Sequence, residues 1–109
     1  MSGTRPLSEA LPELYAELVR LLREEADHSL ADDLPKTHFH EWCGCGDDFC
    51  QSFRTAPDPE GPYGPGHRMV CLLGEGDRAM INLDLVHESV VYVEVLYRPN
   101  LRTQFRTPV

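Results

Sequence analysis

Three of the four cysteines in this 109-residue chain fall within eight positions, Cys43-Gly44-Cys45-Gly46-Asp47-Asp48-Phe49-Cys50. The spacing is C-x-C-x4-C, and His38 and His40 lie just upstream. Zinc takes four ligands in a tetrahedron, drawn from thiolate and imidazole. Gly44 and Gly46 give the backbone freedom for the Cys43 and Cys45 sulfurs to converge on one ion, and Cys50 returns after a turn. A fourth ligand must come from elsewhere, and the candidates are Cys71, His40, His38, His28, His67 and His87. Cys71 would complete a four-sulfur site and His40 a three-sulfur, one-nitrogen site. Cys71 lies in the apolar run Met69-Val70-Cys71-Leu72-Leu73, where a buried, inert thiol is at least as common as a ligand.

Two other chemistries compete with structural zinc. Cys43 and Cys45 form a C-G-C dithiol, suited to thiol redox work or to carrying a soft metal such as copper(I). The neighbouring acids Glu41, Asp47 and Asp48 disfavour a thiolate nucleophile and suit a cationic metal. The plainest alternative is four reduced cysteines with no ligand. For catalysis the signals are thin. No H-E-x-x-H, nucleophile elbow or phosphate loop is present. His38-Phe39-His40 alternates as a strand does, which puts both imidazoles on one face, but solvent exposure accounts for them.

The segment 43–50 resembles the post-SET zinc motif of lysine methyltransferases, in spacing and in the glycine after the second cysteine. The resemblance implies that Cys43, Cys45 and Cys50 bind zinc with a fourth cysteine from the domain core, a role open to Cys71. It covers these eight residues alone. The chain is too short for the methyltransferase domain and has no counterpart of its cofactor or catalytic motifs, so metal chemistry carries over and activity does not. The whole chain also resembles small, uncharacterised bacterial proteins with a leucine-rich first helix, a C-x-C-G-x3-C segment and a valine-rich terminal strand.

The elements that must position this segment follow from patterning. A chain of 109 residues with 41% hydrophobic content is one ordinary domain with a core of its own. Its net charge of -8 argues against a nucleic-acid binder and against adsorption to an anionic membrane. No apolar run is long enough to span a bilayer, and the N-terminus lacks a secretory pattern, so the expected setting is cytoplasmic, with reduced thiols. Residues 1–6 read as a disordered leader. From Ser8 to about His28, Leu7, Leu11, Leu14, Leu18 and Leu21/Leu22 recur at steps of four and three, the stripe of one long amphipathic helix with Ser8 as N-cap and Pro12 in the first turn. Asp32-Asp33-Leu34-Pro35 reads as its exit turn.

Phe49 to Thr55 reads as a short strand. Residues 56–66, with four prolines and three glycines, read as a solvated connector. Strands are expected at Arg68–Leu73, Ala79–Val86 and Val90–Tyr97. For the last two, a three-residue loop His87-Glu88-Ser89 pairs Leu85 with Val91, Leu83 with Val93 and Ile81 with Val95, keeping the apolar faces together. Asn82, Asp84, Tyr92 and Glu94 then form a polar, solvated face. Arg98, Arg102 and Arg106 are spaced as Leu101 and Phe105 are. That pattern predicts a short C-terminal helix docked by its apolar side, its arginines near the acidic face of the first helix; the alternative is a partner-binding tail.

The expectation is an α+β fold: a long N-terminal amphipathic helix on a three- or four-stranded antiparallel sheet, a short C-terminal helix, and a cysteine knuckle at 38–50. The expected role is a non-enzymatic, bacterial-type module with about one zinc per chain, binding a protein partner or a second copy of itself.

Overall fold

The computed structural model describes residues 4–43, 51–57, 59–73, 80–96 and 101–106. The elements run β1 (Arg5–Pro6), α1 (Leu7–Ala10), α2 (Pro12–Glu24), α3 (His28–Asp33), a 3-10 turn at Leu34–Lys36, β2 (His38–Phe39) and β3 (Glu41–Trp42). They continue with β4 (Phe53–Arg54), β5 (His67–Leu73), β6 (Met80–Val86), β7 (Ser89–Leu96) and a 3-10 turn at Leu101–Gln104. Five strands form one antiparallel sheet in the order β3-β4-β7-β6-β5, and β1 pairs with β2 in a separate ribbon.

The α+β class stands, but the expected architecture does not. The chain is mostly strand, seven in two sheets, and no single long helix exists among the described residues. The leucine stripe is nevertheless continuous in space: Leu7, Leu11, Leu14, Leu18, Leu21 and Leu22 are all buried. Pro12 is what divides the helix. It has no N–H to donate backwards, and its ring pushes Leu11 out of the helical region to φ -136° and ψ 71°. Ser8 therefore sits inside α1 rather than capping it. At the other end Ala26 takes φ 61°, turning the chain, and the Asp27 carboxylate accepts the Leu30 N–H at 3.3 Å to start α3. The segment expected to be an exit turn, 32–35, thus holds the end of a further helix and the start of the 3-10 turn.

Of the segment 1–6, expected to be a disordered leader, residues 1–3 lie outside the described residues, and Arg5 and Pro6 ladder against Phe39 and His38. At the C-terminal end the expected short helix is a 3-10 turn, Leu101–Gln104. Its docking is as expected: Leu101 is buried, the Arg106 N–H donates to Ala10 O at 2.8 Å, and the Arg106 guanidinium meets Glu13 on α2.

The β6–β7 hairpin corrects the loop length and keeps most of the register. Ile81 lies opposite Val95 and Leu83 opposite Val93, as the apolar faces require. The turn itself has two residues, His87 and Glu88, at φ 50° and 67°, the paired left-handed conformation of a type I′ turn. A register shift at Asp84/Leu85, with Leu85 opposite Val90, absorbs the difference. One extra residue on β7 lets a tight turn coexist with correctly facing valines.

The core lies between α1–α3 and one face of the sheet. Phe53, Ile81, Leu83, Leu85, Val93 and Val95 on the sheet, and the helix leucines opposite, are all fully buried or nearly so. Each such side chain contributes about 1.5–3 kcal/mol of burial.

Candidate functional site

The cysteine segment grows from the tip of a short hairpin stem. Glu41 faces Arg54 and Trp42 faces Phe53, and the Cys43 N–H donates to Ser52 O at 2.8 Å. The stem therefore holds the two flanks of the segment, Cys43 and Gln51, side by side. Cys45, Cys50 and Phe49 lie outside the described residues. On the Cys50 side, Gln51 N–H donates to Val95 O at 3.0 Å. The next bond of a regular ladder would run from Val95 N–H to the Gln51 carbonyl. Instead the fully buried Ser52 accepts it through Oγ at 2.9 Å. The Ser52 hydroxyl thus finishes the sheet at the point where the backbone departs for the cysteines.

The C-terminal turn grips both flanks. Arg102 stacks its guanidinium over the Trp42 ring at 4.8 Å and donates from Nη2 to the Cys43 carbonyl at 3.0 Å. Its own N–H donates to Gln51 Oε1 at 3.0 Å. Beneath, Phe39, Trp42, Phe53 and Phe105 form an aromatic cluster with ring centroids 4.8–5.7 Å apart. Such pairs add about 0.5–1.5 kcal/mol each beyond their burial. Gln51 and Ser52 went unremarked in the sequence, where Arg102 stood out only as part of a basic stripe.

The candidate ligands do not all meet. Cys43 is half-buried at the end of β3, while Cys71 is exposed on β5. The registers Cys71–Asn82–Glu94 and Trp42–Phe53–Val93 put both cysteines near one level of the sheet. Between them stand β6, β7 and β4. Four inter-strand steps of about 4.8 Å make roughly 19 Å, which two thiolates at about 2.3 Å from one zinc cannot span. Cys43 and Cys71 therefore do not meet on one ion. Local spacing carried no information on strand order, and strand order is what separates them.

His67 and His87 share that far side, on β5 and in the β6–β7 turn. His28 opens α3, with Nδ1 3.2 Å from Arg23. His38 and His40 are both exposed around a buried Phe39, with His38 Nδ1 3.2 Å from Thr4 Oγ1. His40 anchors the stem by donating its backbone N–H to Arg54 O at 2.8 Å. It lies three residues from Cys43, at most about 11 Å along the chain, so an imidazole and a thiolate can meet on one ion. Among the described residues no group of three or more His, Cys, Asp or Glu side chains comes together to hold a metal.

No family model, curated protein or solved structure matches this chain.

The sheet face turned away from the helices is more organised than a solvated surface. His67 Nε2 lies 2.8 Å from Asp84 Oδ1, with the Tyr63 ring stacked on the imidazole at 4.7 Å. That stack ties part of the 56–66 loop to the sheet. Asn82 Nδ2 donates to Glu94 Oε1 at 2.7 Å, and Arg54 lies over Tyr92 at 5.1 Å. Beside these pairs Met69, Leu73 and Met80 are exposed, Leu73 by 80%. No helix among the described residues is long and apolar enough to cross a membrane.

Proposed function

We propose that this chain is a non-enzymatic protein-interaction domain whose cysteine hairpin is stabilised by one zinc ion. Cys43, Cys45 and Cys50 supply three thiolates, and His40, on the same hairpin, is the candidate for the fourth position. The observation that carries this reading is the stem. Ser52, Gln51 and Arg102 fix the two flanks of the C-x-C-x4-C segment beside each other, so the entropy of closing the loop is largely met before an ion arrives. When bound, zinc would supply a structural cross-link, the role of a closed four-ligand site. The exposed apolar residues of the outer sheet face support the interaction role.

Elemental analysis of the purified protein, with a native thiol count, tests the metal reading. The expected result is about one zinc per chain, three protected thiols and one reactive thiol, Cys71. His40→Ala should lower zinc content while Cys71→Ser leaves it unchanged. Metal-free protein with a readily formed Cys43–Cys45 disulfide would overturn the reading in favour of the redox alternative.

A further inference from the structure

We propose that residues 101–106 form a clasp coupled to the cysteine hairpin: an ion held by the cysteines keeps the clasp docked, and loss of the ion releases it. The proposal rests on the metal reading above and adds to it the means by which occupancy of the site reaches the rest of the chain.

The clasp bridges two places in the fold. On the hairpin side Arg102 holds both flanks. Its Nη2 donates to the Cys43 carbonyl at 3.0 Å, its guanidinium covers the Trp42 ring, and its backbone N–H donates to Gln51 Oε1 at 3.0 Å. On the helix side the Arg106 N–H donates to Ala10 O at 2.8 Å, and the Arg106 side chain meets Glu13. Between them Phe105 packs against Phe39 and Trp42, with ring centroids 4.8 and 5.7 Å away.

Coupling follows from what each event demands. Arg102 reaches from Cys43 to Gln51, so docking requires the two flanks at their present separation. Cys43 is itself one flank, and Cys50 immediately precedes the other. An ion bound by both thiolates requires the same approach of the flanks. Whichever event comes first bears the ordering cost, and the second finds it met. The linkage is reciprocal: if the docked clasp tightens zinc binding by some factor, zinc favours docking by that factor.

Little else holds the clasp in place. Of its six residues Leu101 alone is buried, and Arg102, Thr103 and Arg106 are exposed. Within the turn the Phe105 N–H donates to Arg102 O at a long 3.3 Å. Segments with few buried apolar side chains open locally without unfolding the domain. Opening frees the faces of Phe39 and Trp42 that Phe105 covers, so the metal-free protein presents an aromatic surface that the loaded protein hides.

Amide hydrogen exchange of the full chain by NMR, with one equivalent of zinc and with chelator, tests the coupling. The Arg102 and Arg106 N–H groups report the clasp, and the Ala31 N–H, bonded to Asp27 O in the first turn of α3, is the reference. Zinc should slow exchange at Arg102 and Arg106 about tenfold and leave Ala31 unchanged. Arg102→Ala, at an exposed position, should keep native circular dichroism and weaken zinc binding about tenfold, the scale of an outer-shell loss. Arg20→Ala removes an exposed arginine paired with Glu24 on α2, and should bind zinc as wild type does. Zinc bound with exchange at Arg102 and Arg106 unchanged, or slowed only as far as at Ala31, overturns the coupling alone. So does Arg102→Ala protein that binds zinc as tightly as wild type, or Arg20→Ala protein weakened as much as Arg102→Ala. Elemental analysis that finds no zinc overturns the metal reading, and this proposal with it.

Discussion

Ser52→Ala isolates the hydroxyl that ends the sheet at the cysteine stem. Ser52 is fully buried, and its Oγ is 2.9 Å from the Val95 N–H. Alanine removes the acceptor and leaves almost no room for a water to replace it. The Val95 N–H, on a residue that is itself fully buried, is left without a partner. An orphaned buried donor costs about 1–3 kcal/mol. The change in apolar burial is small by comparison, because one hydroxyl is lost and no methyl group. Taking about 2 kcal/mol, and about 4–6 °C per kcal/mol for a domain of this size, the midpoint should fall by roughly 10 °C. Thermal unfolding by circular dichroism, repeated with chelator and with added zinc, measures it. If zinc binds the hairpin, the drop should be larger in the zinc-loaded protein, since the substitution loosens the stem that holds the ligands. A fall below about 2 °C would refute the reasoning. It would mean that the Val95 N–H recovers the Gln51 carbonyl, and that the serine is a passenger.

Other residues give independent checks. Gly66 has φ +85°, and a Cβ there would stand 2.6 Å from His87 Nδ1, so Gly66→Ala should cost about 1–2 kcal/mol in chemical denaturation and shift the His87 ring resonances. His87→Asn suits the left-handed turn position better than histidine and should gain about 0.5–1 kcal/mol by the same assay. The Glu88 carboxyl is held below its ordinary value of 4.5 by its hydrogen bond from Arg68. Glu13 is held below the same value by its own backbone N–H and then by Arg106. A lowered carboxylate contributes stability above its unfolded value and loses it as pH falls through the folded one. Both contacts should therefore persist at pH 5 and vanish in acid well below 4.5. The Arg68 and Arg106 Nε–H resonances report this, and unchanged spectra down to pH 2 would count against both pairs.

What could be read from the sequence was local. The leucine stripe predicted the buried helix face residue by residue, because period and burial are the same fact on a helix. It missed the break, since a buried leucine before a proline looks the same whether its φ is helical or extended. The strands at 68–73, 79–86 and 90–97 were legible from alternation and turn residues to within a residue or so where described. The bulge was not, because two apolar faces and a type I′ turn gave conflicting registers, and only an inserted residue satisfies both. Strand order lay furthest out of reach. Nothing near Cys71 signals that β6, β7 and β4 stand between it and Cys43, and the sequence left the fourth ligand open between Cys71 and a histidine for that reason. The clamp of Gln51, Ser52 and Arg102 around the stem was hidden likewise: three ordinary polar residues acquire a role only when residues 51 sequence positions apart are brought together.

The place of β4 between β3 and β7 has a consequence for the order of events during synthesis. The cysteines leave the ribosome well before their support does. Once Arg54 has followed Cys50 out, the hairpin has two paired residues on each side, and β7, which gives β4 its other neighbour, lies some forty residues behind. At 5–20 residues per second that is a delay of about 2–8 s, and an isolated hairpin is marginal in water. Arg102 arrives later still. The thiols therefore spend seconds on a nascent chain without their scaffold, exposed to whatever oxidant or metal the surroundings offer, and the stem closes around the outcome.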